Sequence, residues 1–142
     1  MTGALPPDAR PVTVGVDRSG ESAAALRQAM TLARDLRRPL TVVHAVGLLE
    51  EGGYRSAPSL DEMVAAARAA VTHASSVAVS VVREDGPAAD VLVRRARDEA
   101  AAYVVVGRRG MGAAARPLGS VSEQVLARAT VPVVVVSSPS PV

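Results

Sequence analysis

At 142 residues the chain is long enough for one well-buried core and short for two. Nearly half of it is apolar, yet it holds no Phe, no Trp, no Cys and two Tyr, which excludes disulfides, thiolate metal sites and a stacking platform for single-stranded nucleic acid. All 16 basic residues are Arg and the net charge is only +2, which excludes a P-loop or Schiff-base lysine, weighs against a phospho-receiver domain and leaves no basic block dense enough for duplex binding.

Residues 1–10 read as a loose leader, without the basic-then-apolar order of a secretion signal. Pro11 to Asp17 (PVTVGVD) reads as a short strand ending at an acid, and Ser19 or Ser22 can cap the helix that follows. That helix, Ala23 to Leu36, sets Leu26, Met30, Ala33 and Leu36 along one stripe, with Arg27, Arg34 and Arg37 outside it. Pro39 to Val46 is a second strand, apolar on both faces, and residues 47–59 form the longest irregular segment, a candidate flap. Ser59-x-x-Glu62 matches a capping box opening a helix from Leu60 to Ala74. Ser76 to Arg83 is the third strand. Gly86-Pro87 predicts a helix with Pro at its first position and Leu92, Val93, Ala96 and Ala100 on its inner face. Ala101 to Val106 is the fourth strand, Ser120 to Ala129 a helix in which Val121, Val125, Leu126 and Ala129 recur at helical spacing, and Val131 to Val136 the fifth strand. Residues 138–142 read as a disordered tail.

Strands alternating with helices five times predict a single α/β domain over 11–137, with a five-stranded parallel sheet and helices on both faces. No apolar run is long enough for a membrane span. Ligands of such folds bind at the C-terminal ends of the strands, where strand order reverses. Asp17, the His44-Ala45 turn and Gly107 all fall near such ends.

The stretch from Val104 to Gln124 is the richest in chemistry. A Val-rich strand runs into a loop with Gly107, Gly110 and Gly112, then Gly119-Ser120 and a helix start. Glycines let backbone N–H groups approach phosphate oxygens, and the helix adds unpaired donors and a positive dipole end. Arg108, Arg109 and Arg116 place cations in the same loop, and Arg108 and Arg109 are either solvated charges or close over a polyphosphate. Ser120 lacks the Gly-x-Ser-x-Gly setting of a hydrolase nucleophile, so its hydroxyl is a phosphate ligand or a plain N-cap. Asp17 is a ligand-side acid or an Asx-type turn residue. His44 has no visible catalytic partner and reads as a satisfied core group; His73 reads as a surface helix residue. No activated nucleophile, base or acidic metal cluster is visible, so an enzyme is not expected.

The chain resembles the universal stress protein family, in its ATP-binding branch. The resemblance spans nearly the whole length. It rests on Val14-Gly-Val-Asp17 followed by Ser19, on Val42-Val-His-Ala45, on Gly107-x-x-Gly110 with Gly119-Ser120 beyond, and on Val131-Pro-Val-Val-Val. It implies a Rossmann-like sheet of the adenine nucleotide alpha hydrolase type. It also implies an adenine nucleotide, ATP with Mg²⁺, held by Val16, Asp17, Ala45, Val106, Gly107, Arg109, Gly110, Gly119, Ser120, Val121 and Ser122. Asp17 would stand against the ribose or the adenine edge and is the one candidate for Mg²⁺. Ala45 would offer backbone groups to the adenine, and the glycines, Ser120 and the N–H groups of Val121 and Ser122 would hold the phosphates. The implied protein is a cytoplasmic homodimer joined through Val133, Val134, Val135 and Val136, regulating a stress response through a partner protein. One departure stands out: Met111 to Leu118 is eight residues where the family pattern has nine. The alternative is a dimeric interaction protein of the same fold that binds no nucleotide.

Overall fold

The computed structural model describes residues 10–17, 20–46, 59–109 and 117–137. The expected leader (but for Arg10), the 47–58 segment, Arg18 and Ser19, the loop 110–116 with Gly110, Gly112 and Arg116, and the tail lie outside the described residues. Among the described residues five strands alternate with four α-helices: β1 (Val12–Gly15), α1 (Gly20–Leu36), β2 (Leu40–Val46), α2 (Leu60–Ala70), β3 (Val79–Asp85), α3 (Ala88–Asp98), β4 (Tyr103–Gly107), α4 (Ser120–Arg128) and β5 (Val133–Val136). All pairings are parallel, in the order β3-β2-β1-β4-β5.

Strand order explains the layering. The chain steps outward from β1 to β2 to β3, then jumps back across β1 to β4 and on to β5. Right-handed crossovers in the two directions put their helices on opposite faces. Accordingly α1 and α2 supply Leu26, Met30, Leu60 and Met63 to one core with Val12, Val14, Leu40, Val42 and Val105. The other face joins Val91, Leu92 and Ala96 of α3 and Val125 of α4 to Val43, Val104 and Val106. The inner strands β1, β2 and β4 are mostly hydrophobic because they are covered on both sides, whereas the edge strand β3 (VSVVRED) carries charges and is largely exposed. Small Ala side chains at positions 25, 29 and 33 of α1, all fully buried, let that helix sit close on the sheet without aromatic filler.

Several local expectations change. Leu36 is 41% exposed rather than inward, because it lies in the last turn of α1, and Leu126 is 46% exposed on the outer side of α4. Helix α2 ends at Ala70; His73 is exposed but adopts a left-handed conformation (φ 60°) ahead of a 3-10 turn over Ala74–Ser76, so it is a turn residue rather than a helical one. Strand β3 therefore starts later, at Val79. Pro87 is the N-cap of α3 (φ −60°, ψ 135°) and not its first helical residue. Ala100 leaves that helix with φ 49°, turning the chain into β4 at Tyr103. The capping box is as expected: the Glu62 N–H donates to Ser59 Oγ at 3.1 Å and the Ser59 N–H to Glu62 Oε1 at 3.0 Å.

Candidate functional site

The reversal of strand order lies between β1 and β4, so the chain leaves the two strands in opposite directions and opens a crevice beyond their C-terminal ends. Its volume is about 140 Å³. Val16 and Asp17 enter from the end of β1, Ala45 from β2, Val106, Gly107 and Arg109 from β4, and Gly119, Ser120, Val121 and Ser122 from the start of α4. Every expected contact residue is thus gathered around one cleft except Gly110, which lies outside the described residues. Sequence reading missed Gly15, Ser22, Val43, Ala88 and Leu92, which complete the lining. Of these, Gly15 carried a readable signal: a lone glycine inside a strand marks a close approach. A Cβ there would stand 2.5 Å from Leu92 Cδ1, so Leu92 of α3 packs onto bare backbone and forms part of the crevice wall.

The β4–α4 loop is anchored at both ends. Arg108 N–H donates to Val136 O at 2.7 Å, prolonging the β4–β5 ladder, and Gly119 N–H donates to Arg108 O at 2.8 Å. The Ser122 hydroxyl lies 2.7 Å from Arg108 O and 3.1 Å from Gly119 O, so it is used within the fold and leaves only its main-chain N–H for the site. The N-cap of α4 is Gly119, which has no side chain to cap it, and Ser120 beside it is exposed. The first-turn N–H groups and the positive end of the helix dipole therefore lie at the crevice.

Arg108 and Arg109 are half-buried rather than solvated. Arg109 is held by Glu21 in the first turn of α1: its N–H donates to Glu21 Oε2 at 2.6 Å and its guanidinium lies 3.3 Å from Oε1. Gly107 sits against the same turn, where a Cβ would be 3.1 Å from Glu21 O. Buried His44 takes the core role expected of it, with Nδ1 2.9 Å from Val16 O, and it does not line the crevice. Among the described residues no three His, Asp or Glu side chains come together as a metal site. Asp17 would hold Mg²⁺ only jointly with ligand oxygens, as Mg²⁺ on nucleotides is commonly bound.

The universal stress protein family model matches residues 9–137. The chain belongs to the universal stress protein family. A universal stress protein of Mycolicibacterium smegmatis is 34% identical, with the match covering 88% of this chain and 47% of the relative. The chain thus spans about half the length of that curated relative. A crystal structure of a universal stress protein in complex with cAMP superposes with TM-score 0.70 at 25% identity, over 92% of this chain and 98% of that one. A universal stress protein from Archaeoglobus fulgidus, solved in complex with dAMP, gives TM-score 0.62 at 22% identity, over 89% and 96%. At that identity the likeness is one of fold. No described helix is long and apolar enough to cross a membrane.

Proposed function

We propose that the crevice at the β1–β4 reversal binds an adenine nucleotide, ATP with Mg²⁺ in its fullest form, and that the protein works as a nucleotide-dependent regulatory dimer in a stress response. Binding rather than turnover is the proposed role. The observation that carries the reading is the meeting of two elements: Gly107 and Arg109 at the end of β4 face the start of α4, whose N-cap is Gly119, across the same cleft that Asp17 and Ala45 enter. Helix dipole and main-chain donors at such a point favour phosphate. The family relative with bound cAMP, at 25% identity, supports a nucleotide as the ligand class. In this reading Asp17 contacts the ribose or adenine edge, Ala45 the adenine, and Gly107, Gly110 and Gly119 to Ser122 the phosphates.

Melting the protein with and without ATP, ADP, AMP and cAMP tests it. A ligand at a hundred times its Kd adds about 2.7 kcal/mol of stability, which moves the Tm of a domain this size by several degrees. An unchanged Tm with all four overturns nucleotide binding.

A second reading, a dimeric interaction protein that takes no nucleotide, draws on the size of the crevice: about 140 Å³ is below the several hundred Å³ usual for a small-molecule site. Mass spectrometry of small molecules released on heating the purified protein separates the two, since adenylate in the supernatant belongs only to the first.

A further inference from the structure

Glu21 and Arg109 lie 88 positions apart, yet they form the closest polar contact between α1 and the loop after β4 that the described residues hold. Both are largely out of water, with side chains 16% and 27% exposed. Arg109 lines the crevice, and Glu21 stands behind it. The carboxylate therefore occupies two donors, one main-chain N–H and one guanidinium N–H, on the side of the cleft where Gly107 meets the start of α1.

We propose that Glu21 is a specificity-determining residue that limits how much each phosphate beyond the first adds to binding. The inference rests on the adenine-nucleotide reading above. An incoming polyphosphate that reaches Arg109 meets a main-chain N–H and one guanidinium N–H already held by the carboxylate, with its negative charge beside them. To take those two donors, the ligand must draw them off Glu21 and weaken the pairing of a half-buried carboxylate, which is costly. If Arg109 stays on Glu21, the two charges offset each other and the added phosphates gain little. A nucleoside without phosphate meets neither cost. The crevice is thereby set toward adenylates of low charge, and Glu21 acts through Arg109 rather than by touching the ligand.

Calorimetric titration of adenosine, AMP and ATP without Mg²⁺ into wild type and Glu21→Gln tests this. Glutamine keeps an oxygen for the Arg109 N–H and removes the charge. The wild-type ATP-to-AMP affinity ratio is expected within about threefold of one. In Glu21→Gln the ratio rises about tenfold, or about 1.4 kcal/mol, between the values for a unit-charge contact in bulk water and near a protein surface, while adenosine binding stays within about twofold. A ratio that does not change in the variant, or affinities for all three ligands that fall in parallel, overturns the inference and leaves the nucleotide reading standing. The second result would mean that Glu21 merely holds the loop. Should Glu21→Gln fail to fold, the wild type decides: a ratio above about thirty overturns the proposal, and one near unity supports it. If no adenylate binds either protein, the proposed function falls first and the inference with it.

Discussion

Two glycines carry much of the site, and they do so through what they leave out. Gly15 admits Leu92, which is 3% exposed, and an added Cβ would meet its Cδ1 at 2.5 Å. Gly15→Ala is expected to lose about 1–3 kcal/mol, the usual cost of overpacking. Adding Leu92→Ala should recover part of that loss, so the double variant is more stable in urea than the two single losses summed predict. At Gly107 the obstacle is the main chain of Glu21 rather than a side chain, at 3.1 Å from the carbonyl oxygen and 3.2 Å from the carbonyl carbon. Gly107→Ala must move the first turn of α1, and no single side-chain truncation restores it. A different residue contributes to behaviour in acid. Glu84 accepts from Arg95 at 2.5 Å and also pairs with Arg94, and the Arg95 hydrogen bond first, then Arg94, holds its carboxyl below the ordinary carboxylate range. Because the folded value is the lower one, this stabilisation is complete above about pH 4.3 and drains away as pH falls through the folded value. Glu84→Gln should therefore show a shallower loss of stability than wild type between about pH 5 and 3 in urea titrations.

At the scale of elements, the capping box of α2 is the clearest case of sequence dictating structure. The Ser59 N–H, and then its hydroxyl, lower the carboxyl of Glu62, so the box weakens as pH falls through that lowered value. Ser59→Ala should cost about 1 kcal/mol by chemical denaturation. Strand β5 makes a different demand. It is at the sheet edge, pairs with β4 alone among the described strands, and all four of its valines are half-buried. Flat apolar edges seek a partner. Pairing with a second copy through Val133 to Val136 remains our proposal, and sedimentation at micromolar concentration should return twice the mass of the 14.5 kDa chain. Element type was legible because Val-rich runs and helical stripes rarely mimic one another over such lengths. Element ends were less so. Leu36 and Leu126 fit their stripes by spacing, but periodicity cannot tell where a helix runs past the sheet it covers. Pro87 suits both N-cap and first position by composition, and only its ψ of 135° decides.

For the molecule as a whole, the alternation of strands and helices foretold a parallel sheet covered on both sides, and the glycine-rich loop pointed to the end where the crevice lies. The Glu21–Arg109 contact was not readable. Glu21 looks like any acid in a first helical turn, and its partner follows β4, three strands later in the chain than β1 but adjacent to it in the sheet. Only the jump from β3 back across β1 brings them together. The same jump divides the cleft by sequence. Residues up to Asp85 bring Gly15, Asp17, Glu21 and Ala45, and residues after Gly86 bring Gly107, Arg109 and Gly119 to Ser122. Gly86, at φ 131°, is the turn between them. A polypeptide cut there would yield two fragments, each holding one wall of the cleft. They would meet again through β1 and β4 and through the Glu84–Arg94–Arg95 cluster that spans the cut. A small molecule seated between those walls would act as a third surface joining the pieces, and reassembly of the split protein would then report on occupancy.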